Sequence, residues 1–119
     1  MEKPHKKLDV WKLSMELSTI TYRVTAAFPA EEKFGLVSQM RRAAVSIPSN
    51  IAEGAARIST NELRHFLAIA RSSLSELDTQ YDLSLHLGFV TAGVRSDVDS
   101  VLSRIDKMLY ALQRSLKTT

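Results

Sequence analysis

Arginine dominates the side chains of this sequence that could do chemistry. Arg41, Arg42, Arg57, Arg64 and Arg71 fall on two successive amphipathic segments, and a guanidinium offers planar donors that match the oxygens of a phosphate. Ser46, Asn50, Glu53 and Arg57 recur at helical spacing beside an apolar row, Leu36, Met40, Ala44, Ile47, Ile51 and Ala55. One face is therefore patterned to bury and its neighbour to make specific polar contacts. Three uses of these side chains compete. The five arginines can meet phosphates. Asn50, Glu53, Arg57 and Arg71 can form an internal network that fixes the second helix on the third, because buried charge needs a partner. The same residues can instead cross to a neighbouring subunit. Gln39, Ser46, Asn50, Glu53 and Trp11 are the candidates for the network or the subunit contact. Trp11 itself either closes one end of the molecule or anchors another subunit, since indole suits the border between apolar and wet surfaces.

Catalytic sets are hard to assemble from what remains. His5, His65 and His86 lie on a basic tail and far apart on one helix, so no two of them meet as metal ligands on one face. Glu62-Leu63-Arg64-His65 has the Glu-x-x-His spacing that di-iron bundles carry on two helices, and no mate for it lies on another expected helix. A solvated capping turn is the simpler reading. Ser72 and Ser73 have no Asp or His placed by sequence to activate them, and small hydroxyls on a helix permit close approach. Glycines occur singly at 35, 54, 88 and 93, as turns and caps rather than a phosphate loop. No catalytic residue, metal or cofactor is expected, and the protein is read as not an enzyme.

Composition sets the wider limits. The 119 residues, 45% hydrophobic and 24% charged, suffice for one domain with its own core. Cysteine is absent, which removes disulfides and thiolate chemistry and fits a reducing compartment. No run of about 18 apolar residues is present to span a bilayer, and Met1 to Lys7 are followed by an amphipathic segment rather than a signal core. A cytoplasmic protein without membrane contact is expected. The formal charge of +3 is a mild excess that permits, without requiring, attraction to nucleic acid.

The elements that must position these residues are helical. Asp9 is the expected N-cap of a first helix carrying Val10, Leu13, Leu17, Ile20, Val24 and Phe28, which Pro29 stops. A second helix is expected from Glu31 and Glu32 to the Gly54–Ser59 region, with a kink or local break where Pro48 removes a donor and crowds the carbonyl of Ala44. Ser59 or Thr60, with Glu62, caps a third helix that Gly88 ends. The fourth carries Val94, Val98, Val101, Leu102, Ile105, Met108, Leu109, Leu112 and Leu116 at near-heptad spacing. The pattern predicts an all-α fold: a single antiparallel, up-down-up-down four-helix bundle with a proline-kinked second helix, residues 8–117, behind a flexible basic tail, residues 1–7.

Asp9-Val10-Trp11-Lys12, Phe28-Pro29 with Glu32, the segment Gln39 to Gly54 and the segment Phe66 to Leu77 together resemble the bacterial four-helix bundle family encoded within 23S rRNA intervening sequences. Gln39 to Gly54 is the specific part. Ser72 departs from the glycine expected after Arg71, which bears on helix approach there. The resemblance implies a small cytosolic bundle without assigned enzymatic activity, often a ring-like homopentamer. It also implies similarity to the accessory variability determinant protein of diversity-generating retroelements, a basic pentamer that binds nucleic acid and a reverse transcriptase. The expected function is thus a non-enzymatic oligomeric bundle that engages structured RNA or DNA through phosphates. The alternative is a scaffold that holds a polypeptide partner and no nucleic acid.

Overall fold

The computed structural model describes residues 1–116, and within them four α-helices account for nearly all regular structure. These are α1 (Asp9–Thr25), α2 (Leu36–Ala55), α3 (Thr60–His86) and α4 (Ala92–Ser115), with single 3-10 turns at Pro4–Lys7 and Ala30–Glu32. No strand occurs among the described residues. Each helix packs on the next in sequence, and α1 also packs on α4, which closes a four-helix bundle. Ser18 meets Ala44 and Arg41 meets Tyr22 and Thr25, while Ser46 meets Ser73 and Ser84 meets Met40. Arg71 meets Gln113 as Arg95 meets Asp82. In all three pairs an early part of one helix lies beside a late part of the other, so neighbours run in opposite directions. Lys117, the last residue assigned to the bundle from sequence, lies outside the described residues.

Helix ends follow local chemistry. Leu8, not Asp9, is the N-cap of α1, and no side chain caps it. Asp9 is instead the first helical residue, where its carboxylate faces the positive end of the helix dipole. α2 starts at Leu36 rather than near Glu31, because Ala30–Glu32 closes a 3-10 turn and the backbone leaves helical geometry at Gly35. Glu32 still serves the helix: its Oε2 accepts from the Leu36 amide at 3.3 Å. Ser59 caps α3, accepting from the Glu62 amide at 3.3 Å. At the other end of α3, Gly88 takes φ +76°, Phe89 N–H donates to Ser84 O and Gly88 N–H to Leu85 O. That pair of bonds is the Schellman arrangement, which requires the left-handed backbone glycine adopts freely.

Pro48 does not break α2, which runs as one helix from Leu36 to Ala55. A proline at this position leaves the carbonyl of Ala44 without its usual amide donor. The Ser18 hydroxyl of α1 lies 2.9 Å from that oxygen and donates to it, sharing its proton with Ser14 O at 3.0 Å. The core around this contact is dry: Leu17, Met40, Ala44, Ile47, Ile51 and Leu77 have no exposed surface. Tyr81 is equally buried and satisfies its hydroxyl across the bundle on Thr21 Oγ1 at 2.8 Å. Burial pushes the Tyr81 phenol above its ordinary pKa, against the smaller lowering effects of the Thr21 hydrogen bond and of Arg95.

The tightest crossing is that of α2 on α3. A Cβ added to Gly54 would lie 2.9 Å from Phe66 Cβ and 3.0 Å from Leu63 Cδ1. Gly54→Ala should therefore destabilise the protein by about 1–3 kcal/mol in urea unfolding, as forced overpacking does. An unchanged midpoint would show that the helices separate freely there.

Candidate nucleic-acid interface

α1 and α2 present a groove on the outside of the bundle, lined by Tyr22, Lys33, Phe34, Val37, Ser38, Arg41, Arg42, Val45 and Ser46, with a volume of about 650 Å³. Its lining includes three cations and no carboxylate. Arg41 is fixed: Nε donates to Thr25 Oγ1 at 3.0 Å and an Nη to Tyr22 O at 3.2 Å. Its guanidinium also stacks on the Tyr22 ring, 4.5 Å from the centroid, a cation–π contact that orients the fork. Arg42 is exposed beside it, and among the described residues no carboxylate lies within ion-pair distance of Arg41, Arg42 or Lys33.

The five candidate arginines do not form one patch. Arg57 pairs with Glu53 at 2.9 Å and approaches Glu62 at 3.7 Å, over the ring of Phe66. Arg71 donates to Asp106 at 3.2 Å and to Gln113 at 3.3 Å, tying α3 to α4. Arg64 sits on the first turns of α3, where its backbone carbonyl accepts from Gln113. Arg57 lies just past the end of α2, and the fourteen residues of helix from Arg41 to Ala55 alone rise about 21 Å, so Arg57 and Arg64 belong to the opposite end of the bundle.

The polar row of α2 divides likewise. Asn50 Nδ2 donates to Ser46 O at 2.7 Å and to Ser46 Oγ at 2.9 Å, and Ser46 Oγ meets Ser73 Oγ of α3 at 2.8 Å. This short chain of hydroxyls and an amide joins α2 to α3. Glu53 and Arg71 take no part in it, each being engaged in its own ion pair. Gln39 is exposed on α2. Trp11 is half-buried against the core, with the His5 ring edge-on at 5.0 Å. His5 belongs to the Pro4–Lys7 turn, within the segment expected as a flexible tail. Trp11 lines a second groove with Met15, Val45, Pro48 and Ala52, which holds no lysine or arginine. Ser72, where glycine was expected, is exposed; the buried hydroxyl at the α2 contact is that of Ser73.

Sequence reasoning passed over two features. Phe34 and Tyr22 lie off the apolar stripes, which is itself the signal that they are not core residues. Arg95, with 12% side-chain exposure, draws in Asp82 at 2.8 Å, Asp99 at 3.8 Å and Asp78. The repeated four-residue spacings of Asp78–Asp82 and Arg95–Asp99 could have disclosed it. Among the described residues, no group of three His, Asp or Glu side chains converges in the manner of a metal site. No described helix is long and apolar enough to cross a membrane.

The family model for the 23S rRNA-intervening sequence protein matches residues 6–111. The chain belongs to that family. A solved structure of a protein of unknown function from the S23 ribosomal protein family of Bacteroides thetaiotaomicron VPI-5482 shares the fold. It superimposes with a TM-score of 0.81 at 20% identity, over 89% of this chain and 96% of that one. No curated protein matches the chain. Within this family member, the Arg95 cluster is a clamp between α3 and α4 with a definite pH signature. The Arg95 hydrogen bond holds the Asp82 carboxyl below the usual carboxylate range, against desolvation and with smaller help from the charges of Arg95 and His86. A depressed folded pKa means stability that is complete above the unfolded carboxylate pKa and lost as pH falls through the folded value. Stability measured by urea unfolding from neutral pH to well below about pH 4 should therefore fall more shallowly for Arg95→Gln than for the parent. Parallel curves would remove the clamp.

Proposed function

We propose that the chain is a non-enzymatic helical bundle that assembles with copies of itself, as a homopentamer, in the cytoplasm and associates with RNA through phosphate contacts. One observation carries this reading: Lys33, Arg41 and Arg42 gather around a groove whose lining contains no acid. Guanidinium and ammonium groups without carboxylate partners are free to replace the counterions of a phosphate backbone. The family description, which links its members to intervening sequences of 23S rRNA, supports RNA as the polyanion. Self-assembly strengthens the electrostatics, since each added copy brings a further charge of +3 to the same particle.

The scaffold reading has its own support in the groove of Trp11, Met15, Val45 and Pro48, which is apolar and carries no lysine or arginine. Such a surface suits a polypeptide. Capture of partners with and without nuclease separates the two: a partner retained after nuclease treatment favours scaffolding.

A mobility-shift titration with a structured RNA across a salt series tests the leading reading. Affinity should fall with salt, and Arg42→Gln should reduce the slope of log affinity against log salt by about one contact, roughly 0.7–0.9. No shift at low salt with the parent protein would end the proposal.

A further inference from the structure

Phe34 is the side chain that phosphate binding does not use. It is 89% exposed at the entrance to α2, where a phenyl ring in water is an unfilled contact surface. Lys33 Nζ lies 5.4 Å from its centroid, and the groove it borders continues over Val37 to the Arg41–Tyr22 stack and Arg42. Flat aromatic surface and cations therefore alternate over a short span. The neighbouring groove at Trp11 has apolar surface without those cations, and the groove at Tyr110 has one cation, Arg114, where this one has three. The volume of about 650 Å³ lies within the range of clefts that hold small ligands, roughly 300–1,000 Å³.

We infer that this groove takes an unpaired segment of RNA, with one base stacked on Phe34 and the flanking phosphates held by Lys33, Arg41 and Arg42. The inference rests on the RNA-association reading and narrows it from polyanion binding to single-stranded RNA. An exposed base offers a π-face to any aromatic ring, whereas bases in a duplex are already stacked on each other. Charge complementarity favours this occupant over a two-fold contact of this surface with its own copy, which would bring the same three cations together.

Fluorescence anisotropy with an oligouridine of about ten nucleotides, and with an abasic strand of equal length and charge, tests the inference. Parent protein, Phe34→Ala and Phe34→Trp are compared over a salt series, with molar mass followed by light scattering. The parent should bind the base-bearing strand about tenfold or more tightly than the abasic one. Phe34→Ala should abolish that preference with the salt slope and molar mass unchanged, and Phe34→Trp should keep it. Equal affinity of the parent for both strands would overturn the stacking while leaving phosphate binding in place. A change of molar mass in Phe34→Ala would overturn it in favour of packing against another copy. Failure of the parent to bind either strand at low salt would remove the RNA reading itself.

Discussion

A carbonyl that has lost its donor organises this bundle. Pro48 deprives Ala44 O of an intrahelical bond at a fully buried residue, where an unsatisfied acceptor costs about 1–3 kcal/mol. The Ser18 hydroxyl, 2.9 Å away, meets that need from the neighbouring helix. A bond that would be internal to α2 thus becomes a bond between α1 and α2, and the registers of the two helices are coupled through it. On the other side of α2 the same pattern recurs, with Ser46, Asn50 and Ser73 linking it to α3, while Gly54 brings the backbones close enough to exclude a side chain.

Holding α2 from both sides has a consequence for its third face. Residues that point between α1 and solvent are not needed for the core, so the chain can place Arg42 and Val45 there, and Phe34 just ahead of the helix, without loss of packing. Arg41 shows how the frame sets the surface. Its guanidinium is aimed by Thr25 and by the carbonyl of Tyr22, both on α1, and its position depends on the same α1–α2 register that Ser18 fixes. The other arginines serve different ends: Arg57 closes the α2–α3 corner and Arg71 and Arg95 join α3 to α4.

The helices and their core were legible because apolar residues recur at helical steps, and the caps at Ser59 and Gly88 because serine and glycine do specific backbone work there. The start of α2 was not legible: Glu31 and Glu32 suit a helix start, yet local 3-10 hydrogen bonding claims them first. Pro48 was visible as an interruption, but its remedy lies 30 positions away in sequence, on a serine with no distinguishing neighbours. The candidate site was partly legible for the same reason. Arg41 and Arg42 are adjacent in the chain and remain so in space, and Arg57 pairs with Glu53 at a four-residue spacing visible in the sequence, whereas the fate of Arg71 depends on Asp106, which only the folded chain brings near. Family membership supplies the bundle; it does not say which cations are left open.

A double-mutant cycle on Ser18 and Pro48, measured by equilibrium urea unfolding, tests the organising contact most directly. Ser18→Ala should cost about 1–2 kcal/mol in the parent, where Pro48 offers Ala44 O no amide. In the Pro48→Ala background the restored amide can serve that oxygen, and the same substitution should cost little. Equal losses in both backgrounds would mean that the hydroxyl does not stand in for the missing amide, and the account of α2 as a helix held by its neighbours would fail.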